Sequence, residues 1–344
     1  MDTQKIDEIV AGVVQEFDGQ MAALALTDSV ATGLATPKSD ADLIMLVNEA
    51  SELPDGQHIV RRIADVHVEI LILTAARFSE LVKATQVPSY FAHPLNMTMA
   101  LRRVMSAKPV HGRDKWNAFL ADFDRRHFQT CLSELNQQKA LLCIEDFWGE
   151  TSIGESRSAL HRIREVLYHL LEALLCLHGD TNGRRKWIVR RVADAPIGDA
   201  DFRNAILDCY LGIRPRGGDR LTRDIQETAW FCTAVSRLIL RWRLDCQSRD
   251  IDLPEGDASL PNGLALVVFI GGRYILKSSH SVAEIDEAMA FLFCCAQDKT
   301  ADLEQADVDR FFSGSRDEVL EEIKARNAQL AEISQTSRLF PSSG

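Results

Sequence analysis

Apolar residues Ile6, Ile9, Val10, Val13, Val14 and Phe17 recur at spacings of one, three and four, which predicts a helix over residues 4–18. Gly19 supplies its stop. The run Ala22 to Leu26 predicts a short strand that ends at Thr27-Asp28-Ser29, and a loop with Gly33 and Pro37 follows. A second strand opens on Ser39-Asp40-Ala41-Asp42 and continues through Leu43-Ile44-Met45-Leu46-Val47. Pro54-Asp55-Gly56 marks a turn in the link from Asn48 to Gln57. Between Ile63 and Leu73 the pattern alternates and then becomes wholly apolar, so Asp65, His67 and Glu69 share one face and Val66, Val68 and Ile70 the other. Residues 74–108 read as helical with interruptions at Pro88 and Pro94, and Lys108 to Gly112 as an exposed turn or short strand.

From Trp116 the period is helical throughout. The segment 157–178 carries Leu160, Ile163, Val166, Leu167, Leu170, Leu171, Leu174 and Leu175, a wide apolar stripe. His178 to Gly183 reads as a stop and turn, and Arg184-Arg185-Lys186-Trp187 opens the next helix. More helix spans 203–250, including Leu221 to Trp242, with Arg214, Arg216, Arg220 and Arg223 around a Gly- and Pro-containing loop. Residues 251–262 read as a linker. Two apolar runs on either side of Gly271-Gly272 predict a β-hairpin, followed by helices over 282–297 and 315–334. The whole is an α+β pattern in three parts: 1–115, a mixed-sheet core with flanking helices; 116–250, a helical domain; and 251–344, the hairpin with its helices.

Chemistry concentrates at the start of the second predicted strand. Residues two apart on a strand share a face, so Asp40 and Asp42 project side by side. Two adjacent carboxylates stay ionised together only when a cation lies beside them. Oxygen donors of this kind suit a hard divalent ion, Mg²⁺ above all. A net charge of −11 argues against a general nucleic-acid binder, which needs a basic surface. The eight cysteines form no C-x-x-C pair and several lie in apolar helical pattern, as free thiols in a reducing compartment would. The first residues, MDTQKIDEIV, place acids where a signal peptide has its basic region, and the run Leu264 to Ile270 is too short to cross a bilayer. A cytoplasmic location without membrane attachment is the expectation.

Asp28-Ser29, ten residues, and Asp40-Ala41-Asp42 between apolar strands resemble the nucleotidyltransferase superfamily, the fold of DNA polymerase β and the antibiotic nucleotidyltransferases. Its pattern is hydrophobic-Gly-Ser, about ten residues, then Asp-hydrophobic-Asp. The stretch Thr36-Pro37-Lys38-Ser39-Asp40-Ala41-Asp42-Leu43 is similar to what many members carry. The resemblance implies transfer of a nucleoside monophosphate from a nucleoside triphosphate such as ATP to a hydroxyl of a small molecule or peptide. It implies two Mg²⁺ ions held by Asp40, Asp42 and a third acid on a neighbouring strand, with Glu69 first and Asp65 second in line. It assigns the phosphates to the loop with Asp28, Ser29 and Thr32, and to basic residues of the helical part, Lys186 and Arg190, with Arg185 beside them. One departure stands out: Asp28 occupies the family's glycine position, adding a Cβ and a negative charge near an anion. The alternative reading is a catalytically silent module of the same fold that binds or regulates.

Overall fold

The computed structural model describes residues 2–48, 51–84, 95–121, 123–213, 220–246, 264–279, 281–295 and 305–336. The chain forms two compact units, residues 1–131 with 180–190, and residues 132–179 with 191–344. The sequence-based divisions at 115/116 and 250/251 fall elsewhere. The expected interruptions at Pro88 and Pro94, the linker 251–262, and Arg214 and Arg216 lie outside the described residues.

The first unit is built on a five-stranded mixed sheet. Helix α1 (Thr3–Glu16) leads into β1 (Met21–Leu26), one helical turn α2 (Asp28–Ala31), β2 (Ala41–Val47), β3 (His58–Ile63) and β4 (Val66–Leu73). Helices α3 (Ala75–Ala84) and α4 (Leu95–Ser106) precede β5 (Lys108–His111) and α5 (Arg113–Leu120). The strand order is β3-β4-β2-β1-β5. Only β2 and β4 run parallel; the other pairs are antiparallel. The central strand β2 is buried along its whole length, and its alternation feeds two cores. Leu43, Met45 and Val47 pack with Ile9, Val13 and Phe17 of α1 and its C-terminal end. Ile44 and Leu46 pack with Phe78, Val104 and Trp116 from α3, α4 and α5. β1 turns Ala23 and Ala25 to that second face, whose small side chains leave room for the fully buried Trp116.

Within the stretch read as one alternating strand lies a tight turn. Ala64 and Asp65 adopt φ of 50° and 61° between β3 and β4, and Ile63 pairs with Val66 across them. This two-residue loop with both residues left-handed is the I′ geometry that suits twisted hairpins.

In the second unit, the greater part of α6 (Arg125–Ser152) is followed by α7 (Ser156–Leu177), α9 (Ala200–Leu211) and α10 (Arg220–Arg243), with most of α8 (Ile188–Asp194) between. The face of α7 predicted to be apolar is buried, and from Leu170 to Leu177 every residue is. A three-stranded antiparallel sheet, β6 (Leu266–Ile270), β7 (Arg273–Lys277) and β8 (Val282–Ile285), packs on α10 together with α11 (Glu287–Cys295), α12 (Gln305–Phe311) and α13 (Arg316–Thr336). Gly271 and Gly272, at φ of 58° and 85°, make the expected hairpin turn. The helix expected over 282–297 begins only at Glu287, because Val282–Ile285 pairs with β7 as a third strand. The first strand's free edge is closed by side chains: Gln137 Oε1 accepts from Phe269 N at 2.8 Å, and Ser236 Oγ donates to the Val267 carbonyl at 2.6 Å. Among the described residues no helix is long and apolar enough to cross a membrane.

Candidate functional site

Four of the acidic residues singled out above, Asp28, Asp40, Asp42 and Glu69, gather at one end of the five-stranded sheet. Asp42 is the second residue of β2 and pairs in direct register with Glu69 of β4. By strand alternation both lie on the face of Ile44 and Leu71, under helix α4. Asp40 sits one residue before the strand and is exposed, whereas Asp42 is buried. Asp28 opens the single turn α2 with φ of 51°, the left-handed backbone that glycine adopts without cost. Asp65 does not join them. It lies on the hairpin turn, almost fully exposed, 3.6 Å from Arg62.

Two arginines hold the acids. Arg184 grips Asp28 with its fork: Nε donates to Oδ1 at 3.3 Å and Nη2 to Oδ2 at 3.0 Å. Arg103 of α4 reaches among three carboxylates. Its Nε lies 3.0 Å from Asp28 Oδ2, its Nη2 4.0 Å from Asp42 Oδ1, and its Nη1 donates to Glu69 Oε1 at 3.4 Å. His58, across the hairpin on β3, holds the same Glu69 oxygen through Nδ1 at 2.5 Å. Thr27 ties the parts together. Its N–H donates to the Asp42 carbonyl and its hydroxyl to the Arg103 carbonyl, so one residue fixes both backbones.

Setting the His58 imidazole aside, the four carboxylates Asp28, Asp40, Asp42 and Glu69 face the two guanidiniums, an excess of two negative charges. The electrostatics follow. Burial, reinforced by Asp28 and Asp40, pushes the Asp42 carboxyl up to about 6 even with Arg103 beside it. Glu69 moves the other way: burial would raise it, but its hydrogen bond from His58 and the charge of Arg103 hold it below the usual glutamate range. Among the described residues no three His, Cys, Asp or Glu side chains stand close enough to cage a metal ion. Asp40, Asp42 and Glu69 are therefore not a ready-made metal cage, and Arg103 contacts two of them.

The segment 180–190 belongs to the first unit and braces this site. Arg184 clamps Asp28, and six residues on, Arg190 Nη1 donates to the Leu34 carbonyl at 3.1 Å, so both ends of the 28–34 turn are held. Asn182 Oδ1 accepts from Arg184 N at 3.1 Å. Gly183, at φ of 67°, lets the backbone pass over the buried Arg102, whose guanidinium a Cβ would overlap. Lys186 and Arg190 are exposed and lie near the Trp187 ring, at 5.2 and 5.9 Å from its centroid. Ser29 is buried and its carbonyl accepts from Leu34 N and Ala35 N at 2.9 Å each, while the Thr32 hydroxyl donates back to the Asp28 carbonyl at 2.8 Å. Arg103, Arg184, His58 and Thr27 were absent from the sequence-based site. In the second unit, Glu145 pairs with Lys277 at 2.7 Å and Asp146 lies 3.7 Å from Arg162, so these acids are engaged in ion pairs.

No family model matches this chain, and no curated protein does. Among solved structures, it is similar to a nucleotidyltransferase-like protein from Exiguobacterium sibiricum 255-15, with 12% identity and a TM-score of 0.39 over 74% of this chain and 83% of that one.

Proposed function

We propose that this protein is a Mg²⁺-dependent nucleotidyltransferase that moves a nucleoside monophosphate from a nucleoside triphosphate to a hydroxyl of a small molecule or peptide. The observation that carries the reading is Asp42 in register with Glu69, with Asp40 close by, in a cluster whose negative charge exceeds its positive charge by two. That surplus matches one divalent ion, and oxygen-only donors suit Mg²⁺. Burial first, and then the charges of Asp28 and Asp40, raise the Asp42 carboxyl, and a cation beside it would offset that rise. Asp40, Asp42 and Glu69 would have to draw together, with the Arg103 side chain withdrawn, to hold that ion. Bound there, Mg²⁺ would neutralise phosphate charge and stabilise the attacking and leaving oxygens of an in-line displacement.

The chain's own residues do the rest by position. Asp42, Asp40 and Glu69 would hold the cation, and Glu69 would accept the proton of the acceptor hydroxyl. The 28–34 turn, with Ser29 and Thr32, faces the phosphates. Lys186, Arg190 and the withdrawn guanidiniums neutralise their charge, where a forked guanidinium matches phosphate oxygens. A net charge of −11 disfavours nucleic acid as the acceptor and leaves a small molecule or peptide.

Isothermal titration with ATP, CTP, GTP and UTP, with and without Mg²⁺, tests this. At least one nucleotide binds only with Mg²⁺, and Asp42→Asn abolishes that binding. One observation favours the second reading, a catalytically silent binding module: Arg103 already contacts three of the acids as an internal cation. In that case nucleotide binding is absent or indifferent to Mg²⁺ in both proteins.

A further inference from the structure

Asp28 is the one acid of the cluster that two guanidiniums seize at once. Arg184 takes both carboxylate oxygens, and Arg103 places Nε 3.0 Å from one of them. Asp28 is buried, and it adopts the left-handed backbone that glycine adopts most readily. The Arg103 Nε–H has no aligned hydrogen-bond acceptor despite that short distance. Asp28 therefore satisfies Arg184 well and Arg103 poorly. Two forked cations converging on oxygens of a single small anion is the arrangement by which arginine holds phosphate, whose tetrahedral oxygens serve two forks better than a flat carboxylate does.

We propose that Arg103 and Arg184 form a phosphate-binding pair whose place is filled, in the ligand-free protein, by the protein's own Asp28. The carboxylate is a built-in competitor. A phosphate group entering the site displaces it, takes both forks, and frees Arg103 from the neighbouring acids. The anchoring of Arg184 supports the role. The Asn182 side chain fixes its backbone and Gly183 lets the chain cross Arg102, so the guanidinium is presented from a braced segment. The phosphate class rests on the nucleotidyltransferase reading only for its polyphosphate length; the two-arginine geometry stands without it.

The test uses the full chain and two probes, inorganic tripolyphosphate and Mg²⁺-ATP, in isothermal titrations of wild type, Asp28→Gly, Asp28→Asn and the double variant Asp28→Gly/Arg184→Ala. Circular dichroism and melting temperature verify the fold. Asp28→Gly binds tripolyphosphate at least tenfold tighter than wild type, Asp28→Asn severalfold tighter, and adding Arg184→Ala returns the affinity to wild type or below. If folded Asp28→Asn and Asp28→Gly bind no tighter than wild type, or bind nothing, self-occupancy is wrong; should Asp28→Gly fail to fold, Asp28→Asn decides alone. Tighter tripolyphosphate binding together with Mg²⁺-ATP binding that ignores Asp42→Asn keeps the phosphate pair and removes the nucleotidyltransferase reading. Asp42-dependent Mg²⁺-ATP binding with no effect at Asp28 does the reverse.

Discussion

Asp42 shows how one side chain can be both a weakness of the fold and its chemical point. Its carboxyl titrates near 6 in the folded chain against an ordinary 3.8. A carboxyl raised by folding stabilises the protein only while protonated. The penalty is absent below about pH 4, grows as pH rises through 4 to 6, and is complete above that. Two units correspond to about 3 kcal/mol. Asp42→Asn is thus expected to be more stable than wild type by about 1–3 kcal/mol at pH 8 and to lose that advantage near pH 3.5, read from urea melts at both pH values. Wild type that is equally or more stable than the variant at pH 8 would contradict the assigned burial. Glu69 opposes the trend at the acid end, because its lowered carboxyl contributes stability above about 4.5 that is lost as pH falls. Asp42 could be found from its two-residue spacing with Asp40, and Glu69 from the alternation at the start of its strand. Arg103, Arg184 and His58 could not. Their link to the acids is long-range, 34 residues from Arg103 to Glu69 and 156 from Arg184 to Asp28, and no periodicity marks it.

At the scale of elements, the strands carrying the acids were legible because a buried β2 reads as an unbroken apolar run. The β3–β4 hairpin was not. Its turn is Ala64-Asp65 rather than Asn-Gly, so the local sequence hides two left-handed residues inside a pattern that alternates on both sides. Ala at φ of 50° is the strained one. The double substitution Ala64→Asn/Asp65→Gly is expected to raise stability by about 1–2 kcal/mol without moving the register of Asp42 and Glu69, through relief of strain at two positive-φ positions. Thermal melts check the gain, and an unchanged response to Mg²⁺ and nucleotide checks the register. The strand Val282–Ile285 escaped for a related reason. Val-Ala-Glu-Ile followed by Asp-Glu-Ala-Met merges with a helical period, and only pairing with β7 separates the two. Thr27 works at this scale as well. Thr27→Val keeps the β-branched shape but strips the hydroxyl from the Arg103 carbonyl, a loss of about 1 kcal/mol that should show as a lower melting temperature.

Across the whole molecule the two units solve burial differently, and the second commits a full ion pair to its interior. Arg191 and Glu172 are 2% and 1% exposed, joined by Nη1 to Oε1 at 2.5 Å and Nη2 to Oε2 at 3.2 Å. Glu172 interrupts the otherwise apolar end of α7, which the sequence showed only as a polar residue within a leucine stripe. Its partner lies 19 residues on, beyond the turn and the 180–190 brace. Removing one member takes the forked partner from a buried charge, so Glu172→Leu alone or Arg191→Met alone is expected to cost about 3–5 kcal/mol. Replacing both with apolar residues of similar volume, Glu172→Leu with Arg191→Met, should cost far less than the two single changes together, because desolvation of both charges then disappears with their attraction. Urea melts of the four proteins followed by far-ultraviolet circular dichroism close that cycle. Additive costs would mean that the pair is not the coupled, desolvated contact its geometry indicates. Because Arg191 directly follows the brace that ends at Arg190, the same cycle read by Mg²⁺-ATP titration asks a second question. Loss of nucleotide affinity in the single variants, regained in the double, would show that the anchoring of Arg184 and Arg190 on the 28–34 turn depends on how firmly the chain is fixed at its next residue.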